Sequence, residues 1–158
     1  MDKAKSIQVL QAYATGLAAQ SLQHKVESKI FASQGLGKLA DKYAEHAEEE
    51  MGWVDKFIDR ILDLGGEPKV EAGPAMPTCA DPVEYIKADL AVSVEQVPIL
   101  MNTTCALADD FKTYDILRAY ALDEEEDMYW SQAQLELIEE QIKVVNHRIE
   151  DLEKKTGV

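Results

Sequence analysis

The stretch that decides the fold is Leu122-Asp123-Glu124-Glu125-Glu126-Asp127-Met128-Tyr129-Trp130. It belongs to an apolar stripe with steps of three and four residues, which keeps one face of an α-helix turned towards a core. The stripe consists of Leu117, Ala121, Glu124, Met128, Ser131, Leu135, Ile138, Ile142, Val145 and Ile149. A carboxylate in a core costs several kcal/mol unless it is paired, protonated or bound to a metal. The acidic residues therefore predict a polar or metal-binding position inside a helical bundle.

An earlier segment repeats this pattern, with Leu39, Tyr43, His46, Glu50, Trp53, Phe57, Ile61 and Leu64 on one face. Two core-facing glutamates predict a metal site made by Glu50, Glu124 and Asp127, whose oxygens suit Fe, Mn, Mg or Ca. His46 lies one turn before Glu50 and is either a further ligand or a core histidine with its own hydrogen bonds. The alternative is a polar pocket without a metal. The neighbouring Asp123, Glu125 and Glu126 are expected to form a solvated face.

Composition narrows the class of protein. The 158 residues carry a formal net charge of −14, which disfavours nucleic acid and anionic membranes as partners and favours cations. No apolar run approaches the roughly 20 residues of a membrane span. The first residues lack an apolar segment typical of a leader, so we expect a cytoplasmic protein. Cys79 and Cys105 have no metal-type spacing and are expected to be reduced thiols.

Glycine and proline signals divide the chain into four helices, predicted at about residues 3–33, 36–64, 82–108 and 113–154. Short links make helices one and two, and helices three and four, antiparallel neighbours. The link at 65–81 is long enough to run back along the bundle, so helices two and three should be parallel. We expect one all-α domain over residues 1–158, a four-helix bundle with a long crossover. Pro98 should kink the third helix.

Three runs of the sequence resemble bacterioferritin, a ferritin-like family of di-iron four-helix bundles. Glu50 to Pro68 is similar to that family's helix B, Asp89 to Glu95 to its helix C, and Leu122 to Ile138 to its helix D. The resemblance implies a ferritin-like fold, binding or storage of iron, and assembly into a homo-oligomer, either a dimer or a cage. A hetero-oligomer, in which a second type of subunit completes the site, is an alternative.

The resemblance also implies positions for the six ligands of the di-iron centre. The glutamates of helices B and D fall on Glu50 and Glu124, and the histidine of helix D falls on Asp127. The three other positions carry Leu17, Trp53 and Ser93, none of which is a typical iron ligand. His24 and Gln20 could supply a polar group only if the first helix were shifted by a turn. We therefore expect an altered mono- or dinuclear iron site whose iron-oxidising (ferroxidase) activity is weak or absent.

Haem is the second cofactor that the resemblance implies, because bacterioferritins bind it between two subunits through a methionine, and that position falls on Met51. This supports an alternative function, a non-catalytic assembly subunit that holds haem or nothing between chains. A ferritin-like oxidoreductase acting on an organic substrate is a third alternative.

The end of the fourth helix departs from the family. Its apolar residues continue as a heptad to Leu152 with no helix breaker before Gly157, where bacterioferritins break and begin a short fifth helix. We expect this extension to pack against another subunit.

Overall fold

The computed structural model describes residues 1–157 and contains four α-helices, α1 (Lys3–Ser33), α2 (Gly37–Asp63), α3 (Pro82–Cys105) and α4 (Phe111–Thr156). Helix α3 ends earlier than the expected residue 108 because the chain turns over residues 106–109. It continues through Pro98 without interruption. None of the helices in this range has the length and apolarity needed to cross a membrane.

Helices α1 and α2 form an antiparallel pair. Ser21 Oγ donates to the carbonyl of Ala47 at 2.7 Å, and Ser28 Oγ donates to that of Ala40 at 2.8 Å, so residue numbers rise on one helix as they fall on the other. The link is tight because Gly35 has a φ of 77°, a left-handed conformation that favours glycine. The amide of Leu36 then returns to the carbonyl of Phe31 at 3.0 Å and closes the helix end.

Side chains of α1 hold the crossover along its length. Gln11 accepts from the amide of Lys69 at 2.8 Å, and Gln23 donates to the carbonyl of Pro77 at 2.7 Å. Gln34, at the end of α1, donates to the carbonyl of Ala80 at 2.5 Å. The crossover therefore runs in the direction of α1 and delivers the start of α3 beside the start of α2. This confirms the long crossover and the parallel orientation of α2 and α3.

Two apolar clusters fill the bundle. One contains Leu10, Leu17, Val54, Phe57 and Leu117 with their neighbours, and the other contains Phe31, Ala40, Tyr43, Tyr85 and Ile86. Between Leu17 and Phe31 on α1 the buried positions are all polar, and between Tyr43 and Val54 on α2 they are His46, Ala47 and Glu50. This polar layer separates the clusters and contains the candidate site.

A buried carboxylate begins α4. Asp110 is 1% exposed, accepts a 2.6 Å hydrogen bond from the Thr113 hydroxyl, and accepts another of 2.6 Å from Arg60 Nη2 on α2. Because Asp110 satisfies donors at the first turn, α4 begins two positions before the expected residue 113. The same contact fixes the start of α4 against the end of α2.

Candidate metal centre

The polar layer owes its position to helical periodicity. His24 lies seven residues from both Leu17 and Phe31 on α1, which places it on the same buried face. On α2, His46 and Glu50 follow Tyr43 at steps of three and four and are likewise buried. The helices therefore bring two imidazoles and a carboxylate into the interior, where each needs a partner.

His24 joins three helices. Its Nδ1 is hydrogen-bonded to Glu50 Oε1 on α2, and its Nε2 lies 3.0 Å from Asp89 Oδ1 on α3. A ring with both nitrogens on carboxylate oxygens donates from both, which is the property of the imidazolium cation. Burial by itself lowers the pKa of His24, but the hydrogen bonds and charges of Asp89 and Glu50 outweigh it and raise that pKa to about 10. The Tyr43 hydroxyl donates to Asp89 Oδ2 at 3.2 Å and completes the network.

One carboxylate oxygen of Glu50, the predicted ligand on α2, is thus hydrogen-bonded to His24. Its other oxygen, Oε2, is buried and has no hydrogen-bond partner. Burial raises the pKa of Glu50, and the contact with His24 opposes that rise. Glu50 is therefore held inside the bundle by a cation that belongs to the protein.

Glu124, the predicted ligand on α4, lines a cavity of about 240 Å³ between α1, α3 and α4. Leu17 and Ser93, for which the resemblance implied ligand positions, line the same cavity, and Glu124 is the one carboxylate among its lining residues. Burial, followed by the charges of Glu50 and Asp127, raises the pKa of Glu124 to about 8. Glu124 therefore borders a cavity in whose lining it is the only acidic, histidine or cysteine side chain.

Asp127, the third predicted ligand, meets different residues from those expected. One oxygen from each of Asp127, Asp123 and Glu49 lies within 4.8 Å of the others, and within residues 1–157 this is the one set of three acidic, histidine or cysteine side chains that meets this spacing. Glu50 and Glu124 are not in the set. Burial raises the pKa of Asp127 to about 7, with Asp123 and then Glu49 as the next causes. Three carboxylates so placed repel one another and favour a cation.

His46 lies on the buried side of this cluster. The residue is 2% exposed, and its Nε2 has no hydrogen-bond partner and is 3.8 Å from Asp127 Oδ1. Burial, followed by the positive charge on His24, lowers the pKa of His46 to about 4, so the ring is neutral near pH 7. A neutral imidazole with a free nitrogen beside carboxylates has the chemistry of a transition-metal ligand.

Trp53 shows that the family's di-iron centre does not fit. It lies where the resemblance implied a histidine. Its Nε1 donates to Asp123 Oδ2 at 2.9 Å, and Lys56 Nζ lies 4.2 Å from the ring centroid. The indole thus orients Asp123, which was expected on a solvated face and is instead partly buried. With Leu17 in the core and Glu50 bound to His24, the six-ligand set is absent.

Sequence reasoning missed three participants. Asp89 appeared only within the run resembling helix C, and Glu49 and Asp123 were not considered as ligands. A signal did exist for the cluster, because His46 and Glu49 are spaced i,i+3 on α2, and Asp123 and Asp127 are spaced i,i+4 on α4. Each spacing turns two possible ligands to one side of a helix.

Comparison with known proteins agrees with this architecture. The model of the ferritin-like domain family matches residues 7–141. The bacterial ferritin of Neisseria meningitidis serogroup B is 36% identical over 126 residues, which cover 78% of this chain and 80% of that protein. The bacterial ferritin of Pseudomonas aeruginosa is 33% identical over 135 residues, 84% of this chain and 87% of that one.

A solved structure has the same fold. Rhodobacter capsulatus bacterioferritin, described with a metal-free dinuclear site and a haem iron in a crystallographic special position, superimposes with a TM-score of 0.82 at 28% identity. The superposition covers 89% of this chain and 88% of the bacterioferritin chain. The crossover, the four helices and these matches agree, and the chain belongs to the ferritin-like family.

Proposed function

We propose that the protein is a bacterioferritin-like subunit that binds and stores iron at an altered site between α2 and α4. Relatives named bacterial ferritin and bacterioferritin support the storage role. The observation that carries the proposal is the cluster of Glu49, Asp123 and Asp127 beside the free nitrogen of His46. Three oxygens and one imidazole suit Fe(II), which enters here as cargo.

Geometry favours this cluster over the ligands predicted from the sequence. Two ligand atoms about 2.1 Å from one ion are at most about 4.2 Å apart. The three oxygens lie within 4.8 Å of one another, so they need to approach only slightly to share an ion. Asp127 is common to both sets. Glu50 and Glu124 stay predictions, and the experiment below separates the two sets.

We expect ferroxidase activity to be weak or absent. The di-iron chemistry of the family uses two metal ions held by a full ligand set, whereas here Leu17, Trp53 and Ser93 supply none of it. His24 also competes for Glu50, because iron would have to displace a buried ion pair.

Anaerobic Fe(II) binding to the intact protein, measured by equilibrium dialysis, tests the site. Glu49→Gln and Asp127→Asn should each weaken binding at least tenfold. Glu48→Gln is the matched control, because Glu48 is the exposed neighbour of Glu49 and lies outside the cluster. In aerobic stopped-flow measurements, Fe(II) mixed with the protein should be oxidised no more than a few times faster than Fe(II) in buffer without protein.

Two results would reject parts of this proposal. Loss of binding in Glu50→Gln and Glu124→Gln, with full binding in Glu49→Gln, would restore the site predicted from the sequence. A wild-type protein that binds less than a tenth of an iron per chain would reject iron binding in either form.

An assembly subunit that holds haem is the second candidate function. Met51 is 42% exposed on the outer face of α2, and the groove beside it is lined by Lys25 and Lys29 of α1. The Met51 sulfurs of two facing subunits could ligate one haem iron from opposite sides. The lysines could pair with the propionates of that haem. Haem titration of wild type and Met51→Leu distinguishes this candidate, which requires a Soret band that the variant loses. Both candidates take the protein to be cytoplasmic and to assemble with copies of itself.

A further inference from the structure

The cavity of about 240 Å³ between α1, α3 and α4 is separate from the cluster of Glu49, Asp123 and Asp127, none of which lines it. Its wall combines apolar residues with side chains that form hydrogen bonds, namely Tyr13, Gln20, Ser93, Gln96, Tyr120 and Glu124. Pockets for drug-sized ligands measure about 300 to 1,000 Å³. This smaller cavity therefore suits a molecule of only a few heavy atoms.

The charges around the cavity favour a positively charged ligand. Glu124 lines it, and no lysine, arginine or histidine is among its lining residues. Glu50, Asp127 and then Asp123 are the charges that act most strongly on Glu124, and all three are acidic. His24, the cation that opposes them, is already hydrogen-bonded to Glu50. A carboxylate that lacks a partner in such a place costs free energy, which a bound cation offsets.

The rest of the wall suits an organic cation better than a metal ion. Leu17, Val97 and Leu100 are buried and supply apolar surface. The rings of Tyr13 and Tyr120 lie edge to face, with their centroids 6.1 Å apart. Aromatic rings attract cations, and alkyl groups leave water favourably for an apolar wall. A metal ion would instead need several oxygen ligands, and this wall provides one carboxylate.

Gly16 helps to keep the cavity open to solvent. It lies in the middle of α1, where glycine is less favourable than alanine. A Cβ at this position would meet no atom within 4 Å, so close packing does not require a glycine here. Gly16 and Gln96 of α3 are both exposed and both line the cavity, which places them at its rim. A small ligand can therefore enter between α1 and α3.

We propose that this cavity binds a small primary alkylammonium ion, with its nitrogen at Glu124 and its carbon atoms against Leu17, Val97 and Leu100. An ammonium group has three donors, and the carboxylate, the glutamine carbonyls and the tyrosine hydroxyls of the wall are acceptors for them. The site shares no residue with the proposed iron site, so the inference goes beyond the proposed function.

Two probes that differ in charge test the class of ligand. tert-Butylammonium and tert-butanol have the same carbon skeleton, and each is titrated calorimetrically into the full-length protein after treatment with EDTA. Salt at about 150 mM screens the exposed acidic surface. tert-Butylammonium should bind with a dissociation constant of about 1 mM or lower, at least tenfold tighter than tert-butanol. Equal affinities would make the cavity merely apolar, and no binding of either would leave it to water. Both results overturn the proposal.

A charge substitution locates the bound nitrogen. Glu124→Gln keeps the shape of the side chain and should weaken binding of tert-butylammonium at least tenfold. Glu126→Gln, at an exposed neighbour, is the control and should leave the affinity unchanged. Glu49→Gln should lose iron but still bind the ammonium ion, so this proposal and the proposed function can fail separately. Equal affinity in Glu124→Gln and Glu126→Gln would place the ion on the acidic surface and overturn the proposal.

Two glycines test the location without a change of charge. Gly16→Leu places a side chain at the rim of the cavity and should weaken binding of tert-butylammonium at least tenfold. Gly52→Leu is the control, because Gly52 is also an exposed helical glycine whose Cβ would meet no atom within 4 Å, but it lies on α2 and does not line the cavity. Equal affinities of these two variants contradict binding in the cavity.

Discussion

His24 on α1 is hydrogen-bonded through Nδ1 to Oε1 of Glu50 on α2, and both side chains are almost fully buried. The second ring nitrogen extends the contact to Asp89 on α3. This imidazolium therefore links three of the four helices within the polar layer of the bundle.

Removing the imidazolium should destabilise the fold strongly. His24→Ala leaves two buried or partly buried carboxylates without their cation, and such a loss costs about 3 kcal/mol or more. Urea unfolding followed by circular dichroism measures the change. His147→Ala is the control, since His147 is exposed near the C-terminal end of α4 and its loss should cost less than about 0.5 kcal/mol. A loss below about 1 kcal/mol for His24→Ala would contradict the role given to the network.

The same histidine predicts a loss of stability at high pH. The folded pKa of about 10 lies above the ordinary value of 6.5, so the folded state holds a proton that the unfolded state releases. The contribution of His24 is fully present below about pH 6.5 and is lost as pH rises through about 10. The free energy of unfolding, measured from pH 6.5 to 10, should fall more steeply in wild type than in His24→Gln.

Ionisation of Glu124 should lower the free energy of unfolding, over a lower pH range than that of His24. Its folded pKa of about 8 exceeds the ordinary 4.5, so the folded state binds the extra proton and stability falls as pH rises between these values. Glu124→Gln removes this titration and should flatten the decline. Thermal melts at intervals from pH 5 to 8 are the measurement, and Glu126→Gln, an exposed neighbour, should retain the wild-type slope. An unchanged slope in Glu124→Gln would mean that the carboxyl is ionised throughout.

Binding of Fe(II) to the cluster of Glu49, Asp123 and Asp127 should raise the melting temperature of the protein. A ligand at about 100 times its dissociation constant adds about 2.7 kcal/mol, which for a chain of this size is roughly 5 to 10 °C. Fe(II) under anaerobic conditions should produce this rise in wild type and not in Asp127→Asn, and EDTA should reverse it. An equal rise in the variant would place the ion elsewhere.

Asp110, which caps α4, should contribute more to the free energy of unfolding than the nearby surface ion pair of Lys112 and Asp63. Asp110→Ala removes an N-cap and leaves Arg60 without its 2.6 Å partner, which together cost about 2 to 3 kcal/mol. Lys112→Ala breaks the exposed pair with Asp63 and should leave stability close to that of the wild type. Chemical denaturation of the two variants decides between them.

The fold followed from local signals. The four helices, the glycines that end them and the long link can each be recognised from residues close together in the sequence. The crossover could be predicted because its length is sufficient to return along the bundle. The start of α4 was predicted two residues too late. Asp110 caps the helix and is held in place by Arg60 of α2, a contact that the local sequence does not show.

The site was harder to predict because it depends on how the helices are placed against one another. Glu50, Glu124 and Asp127 were found by their period, but period alone cannot tell which of them meet. Glu49 is exposed on α2, and one of its oxygens lies within 4.8 Å of an oxygen of Asp123 and of Asp127 on α4, a proximity that the sequence of α2 alone does not reveal. His24 and Asp89 lie 65 residues apart, and only the crossover brings them into contact.

The network of His24 separates two processes that metal-dependent bundles combine. A bundle whose inward carboxylates wait for metal ions can complete its interior only when the cell supplies them. Here the positive charge arrives with the chain itself, on residue 24, as soon as α1 meets α2. The protein should therefore reach its final shape in iron-starved cells as readily as in iron-rich ones, and be present before the metal it is proposed to receive.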